Sequence, residues 1–199
     1  MMQEEDAKWD ELWHVLNKMR LFVILAALFL APCAAAQNYE AAPVVNAHRD
    51  GDGGVAEAAM DVSAPPSAVW AILSDCAKAR TFMRSLLSCR VLERGEGWDV
   101  REHRSRGWLL HPVMRNVSRI TLEANRRLSF RLIEGDWTRS DGEWTLTPID
   151  GGRGTHVTYR INAAVAGGVP IGISQSFLVS NVRATLAALR REAEQDSAP

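Results

Sequence analysis

Much of the chemistry that short motifs carry is missing from these 199 residues. There is no HExxH, CxxC, P-loop, GxSxG or dinucleotide fingerprint, which removes the zinc-peptidase, thiol-redox, nucleotide and serine-hydrolase readings that depend on those spacings. Charge of one sign is missing as well. Lys and Arg number 23 against 24 Asp and Glu, a net of −1, so nothing in the charge balance suggests nucleic-acid binding, which needs a basic surface to displace counterions. Histidine is scarce: His14, His48, His103, His111 and His156 are all there are, and none has a second histidine at i+4. A metal site would need assembly from distant strands; no metal and no cofactor is expected. The apolar run Leu21 to Leu30 is short against the about 20 residues of a membrane-spanning helix.

That run sits in a recognisable context. Met19-Arg20 precedes it and Ala34-Ala35-Ala36 follows it, so a basic start, an apolar centre and a small-residue exit read as a secretory signal peptide over 19–36. The acidic side chains before it (Glu4, Glu5, Asp6, Asp10, Glu11) do not suit a signal front end, and residues 1–18 read as an over-extended N-terminus. Cleavage after Ala36 leaves a near-neutral chain in the periplasm or outside the cell. It also leaves two of the three cysteines, Cys76 and Cys89. In an oxidising compartment they are a candidate disulfide, the alternative being two buried thiols acting as small hydrophobes.

What remains is ordinary globular sequence, 47% apolar and 24% charged, long enough for one domain with a real core. Residues 37–54 carry turn formers (Asp50-Gly51-Asp52-Gly53-Gly54) and no periodicity, and read as a flexible leader. Val55–Val62 alternates as a first strand. Ala64-Pro65-Pro66 then stops it and opens a short helix carrying Val69, Trp70, Ile72 and Leu73. Asp75 caps a second helix over Cys76–Leu87. Arg90–Arg94 and Trp98–Arg106 flank Gly95-Glu96-Gly97 as a hairpin. Trp108–Leu122 holds one or two strands interrupted at His111-Pro112. Leu128–Glu134, Gly142–Thr147 and Thr155–Ala163 follow, with turns expected at Ser140-Asp141 and Asp150-Gly151-Gly152. From Pro170 to Glu194 the apolar residues Leu178, Val179, Val182, Leu186 and Leu189 recur at helical spacing, one amphipathic helix of about 36 Å. Such a helix cannot fill the concave face of a curved antiparallel sheet, so the arrangement reads as a container.

The fold class is therefore α+β: a helix-grip, with a curved antiparallel sheet around a long C-terminal helix and two short helices after the first strand. The residues carry a resemblance. Val62-Ser63-Ala64-Pro65-Pro66-Ser67-Ala68-Val69-Trp70-Ala71-Ile72-Leu73-Ser74-Asp75 resembles the opening motif of the START-like (SRPBCC) superfamily. Leu132-Ile133-Glu134-Gly135-Asp136-Trp137, Gly142-Glu143-Trp144-Thr145-Leu146-Thr147-Pro148 and Gly154-Thr155-His156-Val157-Thr158-Tyr159 resemble its polyketide cyclase/dehydrase and coenzyme Q-binding branch. The resemblance covers residues 55–195. It implies a protein that holds a hydrophobic small molecule or lipid, quinone-like or fatty-acyl, between sheet and helix. The alternative it implies is a cyclase or dehydratase using the same cavity, with His111, Arg104 and Arg115 moving protons.

Six residues are candidates for the cavity. Trp108, Trp137 and Trp144 suit aromatic walls for flat, greasy ligands, and core packing accounts for tryptophans equally well. His111 lies in a strand interruption, Arg115 can meet a ligand carbonyl or carboxylate, and Phe177 stands near the start of the final helix. Gly167-Gly168 lets that helix start move and marks the expected entrance. Glu102, Arg104 and Arg106 share one strand face and read as a solvated edge strand; His156, alternating with Thr158 and Arg160, belongs to the wetter face. The chain is expected to act as a monomer, without nucleic acid and with at most transient membrane contact.

Overall fold

The computed structural model describes residues 37–107, 113–165 and 171–197, and the side chains of 171–175 and 177 are outside that description. The signal-peptide and N-terminal expectations fall on residues 1–36, outside the described residues.

Eight antiparallel strands form one sheet in the order β1-β2-β8-β7-β6-β5-β4-β3. They are β1 (Val44–Asp50), β2 (Gly53–Val62), β3 (Leu86–Gly95), β4 (Trp98–Arg106), β5 (Val113–Glu123), β6 (Arg127–Gly135), β7 (Trp137–Ile149) and β8 (Gly154–Val165). Helices α1 (Pro66–Leu73) and α2 (Ala79–Phe82) follow β2, and α3 (Ile171–Asp196) closes the chain. This is the expected helix-grip. No described helix is long and apolar enough to cross a membrane.

Helix α1 begins where Pro65 leaves the chain extended (φ −65°, ψ 156°) and Pro66 occupies the first turn, where a missing N–H costs nothing. It buries Val69, Ile72 and Leu73, spaced to share a face. Helix α3 buries Val182, Leu186, Leu189 and Ala193 on one stripe and packs chiefly against β1, β2, α1 and α2. Its C-terminal turns are pinned by polar contacts: Glu194 Oε1 accepts from Ser63 N–H at 3.0 Å, and Lys78 Nζ meets Asp196 Oδ2 at 2.7 Å. The buried core joins these helices to Met60, Val62, Leu146 and Val157 of the sheet.

Four expectations are corrected. Residues 44–50 are not a leader: they form β1 and pair with β2 from Val44↔Ala59 to Asp50↔Gly53. The Asp50-to-Gly53 cluster is a hairpin turn, with Gly51 at φ 61°, the region that glycine enters freely. The helix expected to Leu87 stops at Phe82, because Leu86 opens β3; Asp75 Oδ1 instead accepts Ala77 N–H at 2.8 Å in a local turn. There is no turn at Ser140-Asp141, since β7 runs through it. The reversal is at Gly135, whose φ of 150° and close approach to the Arg115 carbonyl leave no room for a Cβ. Finally, β4 is not an edge strand; β3 is.

Candidate functional site: the concave face

Strand register decides which side chains share the concave face. Ile120 stands opposite Phe130, Leu122 opposite Leu128, and Trp144 opposite Tyr159. All six belong to the core cluster or pack against it. The middle of the trough is aromatic: Trp144 and Tyr159 stack with centroids 3.9 Å apart, Phe130 stacks on Tyr159 at 6.4 Å, and Phe82 of α2 meets Trp144 edge-on at 6.3 Å. Burial raises the Tyr159 phenol well above its usual range, so it stays neutral.

Toward β4 the same face turns polar. Asp99 is opposite Ile120, Arg101 opposite Ser118, and His103 opposite Asn116, so Asp99, Arg101 and His103 share the concave side. The Arg101 guanidinium donates to Asp99 at 2.8 and 2.9 Å and to the Ser74 carbonyl at 2.7 Å, at the end of α1. Both side chains are only 4% exposed. A forked pair of this kind satisfies both charges and leaves no net charge behind. His103 stands opposite Cys89 in the β3–β4 register. Burial, reinforced by the Arg101 charge, lowers its imidazole to about 4, so it is neutral at pH 7. Its Nε2 is buried with no hydrogen-bond partner.

Trp137 shares this face, because it stands opposite Val165, which alternates with Ala163 and Ile161 along β8. Its backbone N–H donates to Asn116 Oδ1 at 3.2 Å. The Trp137 indole Nε1 is buried and also lacks a partner.

The expected site residues separate. Trp137 and Trp144 lie on the concave face, Trp137 at its polar end and Trp144 in the aromatic stack. Arg115 does not: it stands opposite Arg104 on the convex face. There it donates to Glu102 at 2.6 Å and to Glu134 at 3.0 Å, with its side chain 40% exposed. The reason is parity, since Asn116, one residue on, takes the inward position. Arg90 and Arg104 also approach Glu102, at 3.5 and 3.4 Å. Above all the Arg115 hydrogen bond holds the Glu102 carboxyl below the usual range. The proton-moving trio of Arg104, Arg115 and His111 is therefore not assembled inside the trough: both arginines are outside. Trp108, His111, the Phe177 side chain and the Gly167-Gly168 entrance lie outside the described residues. Cys76 and Cys89 form a disulfide with Cα atoms 5.5 Å apart, tying the α1–α2 connection to the inner face of β3. His156 does take the wet face, its Nδ1 2.6 Å from Asp61 Oδ1.

Asp99, Arg101, His103 and Asn116 were not singled out from the sequence. The signal was present: alternation that sends Glu102 and Arg104 outward sends Arg101 and His103 inward. On the convex side an open groove of about 510 Å³ lies where β6–β7 pairing ends at Arg131↔Asp141. It is lined by charges of both signs, among them Arg119, Arg131, Asp141 and Glu143. Among the described residues no group of three His, Cys, Asp or Glu is placed to hold a metal ion.

Comparison with known proteins agrees on the fold. The chain is similar to the lipid transfer and protein localization domain of human StarD13 at TM-score 0.64 and 16% identity, covering 80% of this chain and 86% of that one. It is similar to a STAR-related lipid transfer protein from Xanthomonas axonopodis at TM-score 0.64 and 20% identity, covering 80% and 97%. The Zhui aromatase/cyclase from Streptomyces sp. R1128 matches at TM-score 0.58 and 21% identity, covering 77% and 94%. No curated protein matches the sequence. These likenesses show a START-like helix-grip fold. The family model described as polyketide cyclase / dehydrase and lipid transport matches residues 62–190, and the chain belongs to that family.

Proposed function

We propose that this is an exported protein that binds a hydrophobic small molecule or lipid, quinone-like or fatty-acyl, between the sheet and α3. One observation carries the reading. Helix α3 packs chiefly over β1 and β2, α1 and α2 meet the aromatic middle, and the concave face ends on β4 in a charge-balanced polar patch beside two buried, unpartnered N–H-bearing side chains. Apolar walls with a few placed polar groups are what a small-molecule site needs. An apolar ligand losing about 300 Å² gains roughly 7 kcal/mol before association costs, so no catalytic group is required. The names of the similar proteins, two lipid-transfer domains among them, point the same way. Export is supported by the signal-like segment 19–36 and by the Cys76–Cys89 bridge, which suits an oxidising compartment.

The test is expression of the full chain in a bacterial host, fractionation, and native mass spectrometry of the exported form followed by lipid extraction. A chain beginning after Ala36 and carrying a co-purified apolar molecule is expected. A pure apo species that takes up neither quinones nor fatty acids refutes the carrier reading, and retention in the cytosol at full length refutes export.

A further inference from the structure

We infer that the β4–β5–β7 end of the concave face is an anchoring site for the neutral carbonyl oxygen of an otherwise apolar ligand, with His103 Nε2–H and Trp137 Nε1–H as donors. This rests on the container reading above and names the chemistry of what is contained.

Buried polar atoms in native proteins are nearly always paired, and the exceptions mark a missing partner. Here two such atoms occur on one face, and the polar groups around them are already engaged. Arg101 is committed to Asp99 and Ser74, and Asn116 Oδ1 accepts from the Trp137 backbone. The third unpartnered buried atom, Arg190 Nε, belongs to a guanidinium that already donates to the Ala41 carbonyl, on α3.

Position ties the two free atoms together. His103 stands directly across from Asn116 in the β4–β5 register, and cross-strand neighbours of this kind have Cβ atoms roughly 4.5–5.5 Å apart. Trp137 is tethered to the same Asn116 side chain through its backbone N–H. The two residues are therefore both placed beside Asn116. An indole N–H only donates, so the group it lacks is an acceptor. A neutral imidazole in its Nε2–H tautomer donates as well, and a carbonyl oxygen, with two lone pairs, can accept from both.

Charge selects among acceptors. The Arg101 cation is cancelled by Asp99, and His103 is held neutral by burial. Among the described residues, no unbalanced cation of β4 or β5 on this face would hold a carboxylate, and burying one unpaired is strongly unfavourable. Esters and ketones are thus favoured over free acids of the same length.

The experiment measures equilibrium partition of labelled methyl palmitate, palmitic acid and the alkane of equal length onto the purified protein at neutral pH. The ester is expected to bind about ten-fold tighter than the acid, and about ten-fold tighter than the alkane. Trp137→Phe and His103→Phe each keep a ring in place and should weaken the ester about five-fold and the alkane by clearly less. The wild-type series needs no variant to fold. An acid that binds as tightly as the ester overturns the inference, as do variants that weaken alkane and ester alike. If alkane and ester bind equally, only the anchor fails; if neither binds, the container reading fails with it.

Discussion

Acidification should destabilise this protein through His103. The imidazole titrates near 6.5 when the chain is unfolded and at about 4 in the native structure, chiefly because burial penalises its charged form and secondarily because Arg101 lies beside it. Between those values the unfolded chain holds a proton the native one does not, so stability falls as pH falls and is unaffected by this group above about pH 7. Working the linkage from pH 7 to pH 5 gives a loss of about 2 kcal/mol. In a domain of this size that is about 4–8 °C in melting temperature. The window lies above the range in which Glu102, held low by Arg115, takes up its proton; its stabilisation is lost only in stronger acid. Thermal melts at pH 7 and pH 5 on the wild type and on His103→Phe separate this residue from the remaining histidines, whose effects are common to both proteins. The wild type should lose stability and the variant should lose markedly less. Equal acid sensitivity of the two proteins would refute the reasoning, since it would mean that the buried imidazole reaches water before the fold opens.

Three further outcomes are expected. Reducing the Cys76–Cys89 bridge, which closes a sequence separation of 13, should cost about 3 kcal/mol; a melting temperature unchanged by reductant counts against it. Leu186 is fully buried beneath the sheet, and Leu186→Ala should cost about 2–5 kcal/mol in denaturant titration, a loss under about 1 kcal/mol meaning that the helix–sheet contact is loose. Arg115→Ala should leave binding of an apolar ligand within about two-fold of wild type, because Arg115 sits on the convex face; a larger loss in a partition assay would place the ligand outside the trough.

The order of elements was legible because it rests on strong local signals. Pro65-Pro66 starts a helix wherever it stands before an apolar face, and the Leu178–Leu189 stripe reads as helix at any depth in the fold. The errors lie where tertiary pairing outweighs local pattern. Val44–Asp50 has little apolar alternation, yet β2 offers it a complete ladder, and pairing satisfies its backbone groups. Leu86 and Leu87 suit a helix as well as a strand, and pairing with β4 from Leu86↔Ser105 onward makes them the start of β3.

The site was legible only by half, and β4 shows why. Arg101-Glu102-His103-Arg104 contains two interleaved sets of side chains, one for each face of the sheet. Composition alone reads the run as solvated, because charged residues usually are. It takes the register to show that Glu102 gathers Arg90, Arg104 and Arg115 on the convex face. The same register sets Arg101, paired with Asp99, on the concave face beside His103, which burial keeps uncharged. Burial on both faces of one strand, Val100 and Glu102 on one and Asp99 and Arg101 on the other, marks β4 as a wall rather than an edge. A wall that is charged outside and charge-balanced inside suits an apolar cargo with one neutral polar group. Reading the alternation on both faces of every charged strand, not only the face that looks wet, would have found this end of the trough.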